Sequence, residues 1–178
     1  EGNDAWTSVE SRDGTLLLEK VAMEDLDEQL ASKADKVMKL VFQPLQKFGD
    51  DDSTAAAMLY ASKTLLTGSD LLKTAVCEGP CVKWIVQAMQ NHCNHCDVAQ
   101  GACDTISELV SGSKRNQKHV RKTKFAEALA TVLDLHSDNK NVMISALGSL
   151  KMMLNVGEKA AEAFGKQMGE LDGLAVVD

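Results

Sequence analysis

The sequence predicts an all-α fold built from helical repeats, on three observations. Apolar helical segments recur every 44 residues. Each is followed by a polar break and then by a second helix rich in Ala and Leu. Aromatic residues make up only 4% and there are 2 prolines in 178 residues, a poor composition for a turn-punctuated β fold. The length suits one domain, and 44% hydrophobic with 25% charged residues is the balance of a chain able to bury a real core.

In chain order, residues 1–35 read as an acidic arm followed by a capping helix. Residues 1–30 hold nine acids and two bases, whereas residues 31–178 hold 17 of each. The formal net charge of -7 is therefore a property of the arm, and it argues against a general nucleic-acid binder. Residues 1–14 have little apolar content and are expected to be mobile. The stretch Leu16–Leu30 places Leu17, Val21, Met23, Leu26 and Leu30 near helical spacing, so an amphipathic helix capping the first repeat is expected there.

The repeats occupy residues 36–178, at about 36–79, 80–123 and 124–167, with the start of a further one at 168–178. The segments Val37–Phe48, Cys81–His92 and Phe125–His136 align without gaps. Their shared apolar columns are Val37, Cys81, Phe125; Leu40, Trp84, Ala128; Val41, Ile85, Leu129; Pro44, Ala88, Val132; and Leu45, Met89, Leu133. That i, i+3, i+4, i+7, i+8 spacing gives a helix with one buried face. Pro44 breaks the pattern and is expected to kink or shorten its helix. Acidic and Asn-bearing breaks follow, then helices over Thr54–Leu66, Val98–Val110 and Val142–Leu154. Deleting one residue in the first break aligns Ala57, Ala102 and Ala146, then Ala61, Ile106 and Leu150, then Leu65, Val110 and Leu154. Gly68, Gly112 and Gly157 stand where helices end. Val76, Val120 and Phe164, 44 apart, are the expected anchors of a short further helix in each unit.

A short helix, an apolar helix, a polar break and an Ala/Leu-rich helix resemble armadillo or HEAT-type repeats. The third unit, from Phe125 to Asn155, is the nearest match. The resemblance implies a right-handed α-solenoid of about three armadillo-like three-helix repeats. The chain starts at Glu1 and Leu171, Leu174, Val176 and Val177 begin another apolar segment, so a fragment of a longer array is expected.

Chemistry is sparse. Cys77, Cys81, Cys93, Cys96 and Cys103 are an odd, clustered set, a poor disulfide framework and more natural in a reducing compartment. His92, Cys93, His95 and Cys96 are candidate zinc ligands, since thiolates and neutral imidazoles suit that ion, but their spacing is not a paired CxxC pattern. The main expectation is no metal and no cofactor, with a small zinc-binding module as the alternative. No nucleophile-elbow, phosphate-loop, zincin or dinucleotide motif occurs, and a Cys93–His95 pair lacks an orienting group, so an enzyme is not expected. Lys114, Arg115, Lys118, Arg121, Lys122 and Lys124 surround His119 with no acid between Ser113 and Lys124. This run is either a solvated edge or a patch for an acidic protein, a phosphorylated segment, anionic lipid or the chain's own acidic arm. Nucleic acid is disfavoured because no aromatic lies nearby to stack on.

In armadillo proteins the last long helix of each repeat lines a groove, and importin-type members place Trp and Asn on it four residues apart. On the Ala57 alignment those positions are Leu59 and Lys63, Asp104 and Glu108, Gly148 and Met152. None is Trp or Asn, which argues against binding of nuclear-import cargo. A catenin-like groove, basic along its length, is not evident either. The candidate groove residues are Lys63, Asp104, Glu108, Lys151 and Met152. The architecture implies a protein–protein interaction scaffold or adaptor in the cytoplasm, holding a partner peptide or helix of unknown identity. The regulatory arm of a larger protein is a further alternative. No apolar run approaches the length of a membrane span.

Overall fold

A computed structural model describes residues 4–10, 16–22, 32, 35–48, 50–155, 162 and 164–166. The helix expected over Leu16–Leu30 is not what its first half forms. Strand β1 (Asp4–Glu10) pairs antiparallel with β2 (Leu16–Ala22), in a register that sets Asp4 opposite Ala22 and Glu10 opposite Leu16. The span expected to be mobile thus contains a strand. Trp6, Thr7 and Val9 favour extended backbone, and the Asp13-Gly14 pair between the strands is a hairpin signal. The remainder of the expected helix lies outside the described residues.

From Met38 onward every described element is helical. A wide π turn (Met38–Phe42) leads straight into α1 (Gln43–Phe48). Then follow α2 (Asp52–Leu66), α3 (Asp70–Glu78), α4 (Cys81–Asn91), α5 (Cys96–Val110), α6 (Lys114–Val120), α7 (Phe125–Leu135) and α8 (Lys140–Leu154). No described helix is long and apolar enough to cross a membrane.

The π turn is the answer to Pro44. A proline inside a helix has no N–H to donate, and its ring collides with the carbonyl four residues back. Here the N–H of Gln43 reaches back five residues to the Met38 carbonyl, which widens the turn just ahead of the ring. Widening also rotates the side chains. Leu40, expected inside, is 72% exposed, and Phe42 takes the core place with none of its surface exposed.

The period is carried by helix boundaries. Helices α2, α5 and α8 begin at Asp52, Cys96 and Lys140 and end at Leu66, Val110 and Leu154, in steps of 44. No deletion is needed, and this corrects the sequence alignment by one residue. The equivalents of Ala102 and Ala146 are Met58, not Ala57. Those of Ile106 and Leu150 are Ser62, not Ala61. Leu66, not Leu65, matches Val110 and Leu154. Leu66 is fully buried, as Val110 is, while Leu65 is 43% exposed; Leu154, in the last turn of α8, is itself 38% exposed. The run Ala55-Ala56-Ala57 matches an alanine in any register, which is why the alignment slipped.

Caps recur with the same step. Asp51, His95 and Asn139 are the N-cap residues of α2, α5 and α8. Asp51 accepts the Thr54 N–H at 2.8 Å, and Asn139 accepts from Asn141 and Val142. The Thr54 bonds, from its hydroxyl and its N–H, hold the Asp51 carboxyl below its ordinary pKa. Gly68 and Gly112 both have positive φ, at 85° and 72°, and each is followed by a serine that caps the next helix. Gly157 lies outside the described residues.

The three long helices α2, α5 and α8 lie side by side, α5 against both others, and α4 and α7 back onto the same core. The fully buried side chains include Leu59, Leu66, Ile85, Met89, Ile106, Leu109, Leu129 and Met153. The expected anchors Val76, Val120 and Phe164 are all fully buried. Between α2 and α5 the approach is close. A Cβ built on Gly101 would sit 3.1 Å from Leu59 Cβ. The buried Thr105 hydroxyl lies 2.9 Å from the Leu59 carbonyl and 2.7 Å from that of Gly101.

Candidate functional site

The candidate groove residues are drawn largely into the protein's own ion pairs. Lys63 on α2 pairs with Asp104 on α5 at 2.8 Å. Lys73 on α3 pairs with Glu108 on α5 at 2.8 Å and with Asp70 at 3.5 Å. Lys73 is only 7% exposed. Burial alone would lower the pKa of its ammonium, but the hydrogen bond and charge of Glu108, helped by Asp70, outweigh burial and raise it. Asp104 and Glu108 therefore stitch α5 to the elements before it. Lys151 remains exposed, while Met152 is half-buried and its carbonyl accepts the Gln117 side-chain amide at 3.1 Å. Leu59, aligned to a groove position, is fully buried in the core. In the 44-residue register Tyr60 stands in its place, equivalent to Asp104 and Gly148, and it is 72% exposed. The groove positions of α2 are then Tyr60 and Thr64, which again are neither Trp nor Asn.

Three of the four candidate zinc ligands are drawn to different partners. His95 turns back to Asp52 of α2, with Nε2 3.7 Å from the carboxylate. Cys96, the first residue of α5, turns forward to the turn between α7 and α8, with Sγ 3.6 Å from His136 Nδ1 and 3.2 Å from the Asn139 side-chain amide nitrogen. Cys93 contributes its carbonyl, 2.7 Å from His136 Nε2. Among the described residues no three His, Cys, Asp or Glu side chains converge as a metal site requires. Cys77, Cys81 and Cys103 are buried. Loss of hydration pushes the first two thiols up to about 11 and the third to about 12, so they are protonated core side chains.

The basic run divides. Asn116 and Gln117 of α6 face inward, and Asn116 donates to the Leu109 carbonyl at 2.8 Å. Lys114, Arg115, Lys118, Lys122 and Lys124 are exposed, and Arg121 is half-buried. Arg115 forms an ion pair with Glu78, and Lys124 reaches Glu127 at 3.7 Å.

Lys122 and Lys124 lie in a different setting from the rest. They line a furrow between α4 and the turn joining α6 to α7. One part, about 470 Å³, is bounded by Glu78, Pro80, Val82, Lys83, His119 and Lys122. The adjoining part, about 260 Å³, is bounded by Lys83, Val86, Gln90, Lys122, Thr123 and Lys124. The two share Lys83, Lys122 and Thr123 in their linings, so they lie side by side along one furrow. Lys83 stands on α4, outside the basic run, so no local charge pattern in the sequence points to it. Three lysines thus line one cleft, together with Pro80 and the buried Val82 and Val86. No family model, no curated protein and no solved structure matches this chain.

Proposed function

We propose that the chain is an armadillo-like, right-handed α-solenoid of three-helix repeats that serves as a protein–protein interaction scaffold, holding a partner segment on its surface. The 44-residue recurrence of helix starts, ends and caps supports the repeat reading. The observation that carries the binding reading is the furrow between successive units. It is open, it is lined by Lys83, Lys122 and Lys124, and no carboxylate among the described residues pairs with Lys83 or Lys122. Lys63 and Lys73 are held by carboxylates of α5, whereas Lys83 and Lys122 border a cleft and are available to a partner. The role needs complementarity and no bond-making chemistry, and a cytoplasmic setting is consistent with buried free thiols.

The test is retention of a protein from an extract of the source cells on the immobilised chain, beside a Lys83→Glu/Lys122→Glu variant. A protein retained by the parent chain and lost with the variant supports the proposal. Equal or absent retention on both counts against it.

A further inference from the structure

We infer that the furrow between α4 and the α6–α7 turn docks an extended acidic peptide of a partner protein, with one apolar side chain among its carboxylates; this rests on the scaffold reading above. Charge comes first. Lys83, Lys122 and Lys124 approach from two elements; of the acids near them, Glu127 lies 3.7 Å from Lys124 and Glu78, which lines the larger part, is engaged by Arg115. Like charges gathered at one cleft repel, and a ligand carrying two or three carboxylates converts that repulsion into attraction.

Shape and lining supply the second half. The smaller part of the furrow, about 260 Å³, is bounded by Val86, Gln90, Thr123, Lys83, Lys122 and Lys124. It has room for one aliphatic side chain against Val86, with the exposed lysines keeping their charged ends in water. The larger part runs on past Pro80 to Glu78, whose carboxylate is engaged by Arg115. A peptide lying along the trough meets cations along its length and a neutralised acid at one end. Nucleic acid fits less well, because no Phe, Tyr or Trp lines the trough as a stacking platform and His119 is the one ring in its lining.

The experiment is fluorescence anisotropy of the full chain with three probes. These are a fluorescein-labelled decapeptide of Asp and Glu with one central Leu, the same peptide with Ala in place of Leu, and a labelled oligouridylate. The Leu peptide is expected to bind, and the Ala peptide about 5-fold more weakly. Lys83→Glu/Lys122→Glu should weaken the Leu peptide at least about 10-fold, and the neutral Lys83→Gln/Lys122→Gln variant by less. Lys114→Glu/Lys118→Glu, on exposed α6 positions outside the trough, should leave it within about 2-fold. Circular dichroism of each variant checks that it is folded. No peptide binding, equal loss with the α6 variant, indifference to the Leu, or tighter binding of the oligouridylate each overturns the inference. If the peptides fail while retention from the extract still depends on Lys83 and Lys122, the acidic-peptide inference falls alone. If nothing is retained, the scaffold reading falls with it.

Discussion

Sγ of Cys96 lies 3.6 Å from Nδ1 of His136, and Nε2 of the same ring lies 2.7 Å from the carbonyl oxygen of Cys93. A carbonyl only accepts, so Nε2–H donates, and in the neutral ring Nδ1 accepts the Cys96 thiol hydrogen. The ring is 7% exposed and clamps the turn ahead of α5 to the turn ahead of α8. His136→Ala removes the clamp and leaves the Cys93 carbonyl without this donor. The expected cost is about 1–3 kcal/mol. Urea denaturation of parent and variant measures it, and an unchanged midpoint would show that water replaces the ring without loss.

The five thiols should separate by reactivity. Cys96 is exposed and Cys93 half-buried, whereas Cys77, Cys81 and Cys103 are buried and protonated at neutral pH. Iodoacetamide at pH 8, followed by mass spectrometry, should label Cys96 and Cys93 first. Labels on the other three should accumulate only when urea opens the core. Early labelling of Cys103 would contradict its place between the long helices.

The same three thiols make stability fall in alkali. Their folded pKa values, about 11, 11 and 12, lie above the ordinary value of 9. The unfolded chain therefore releases protons first as pH rises, and stability present below pH 9 is lost between about pH 9 and 12. The raised ammonium of Lys73 adds to that loss above its ordinary 10.5. Urea midpoints should drop between pH 8 and pH 10.5. Replacing Cys77, Cys81 and Cys103 with Ala should flatten that drop while lowering the midpoint at pH 8.

Removing the two partners of the Lys73–Glu108 pair should not cost the same. Glu108→Gln leaves a nearly buried ammonium with only Asp70, 3.5 Å away and itself exposed, and should destabilise by about 1–3 kcal/mol. Lys73→Met keeps the packing of the stem and leaves a carboxylate that reaches water, so its cost should stay below about 1 kcal/mol. Urea titrations of both variants at pH 7 decide the order. A larger loss for Lys73→Met would mean that the ammonium itself contributes net stability.

How far the sequence reaches is visible in particular residues. Val76, Val120 and Phe164 were legible as anchors because burial of one large apolar side chain per unit is what a period preserves. The register of α2 was not, because three successive alanines carry no phase. Leu40 defeated helical spacing because Pro44 imposes a π turn, and 3.6-residue counting fails across it. The hairpin was legible in Asp13-Gly14, yet the Leu-rich stretch after it fits a helical pattern equally well. For the site, local patterns found Lys122 and Lys124 but not Lys83, and they offered Asp104 and Glu108 without showing the lysines that occupy them. Partners brought together by packing between units leave no mark within any one unit.

Two glycines inside long helices separate packing from propensity. Gly148 of α8 has open space where a Cβ would stand, so Gly148→Ala should stabilise by about 0.5–1 kcal/mol through the unfolded chain's lost freedom. Gly101 of α5 would place its Cβ 3.1 Å from Leu59 Cβ, an atom fixed to the α2 backbone. There the same propensity gain is offset by crowding, and Gly101→Val should cost about 1–3 kcal/mol as α2 and α5 are forced apart. The equivalent positions in the other long helices, Ala57 and Ser145, are also small, as close side-by-side packing requires. Urea midpoints of the two variants should move in opposite directions. If Gly101→Val is neutral, α2 and α5 are not held as close as the Gly101–Leu59 approach sets them.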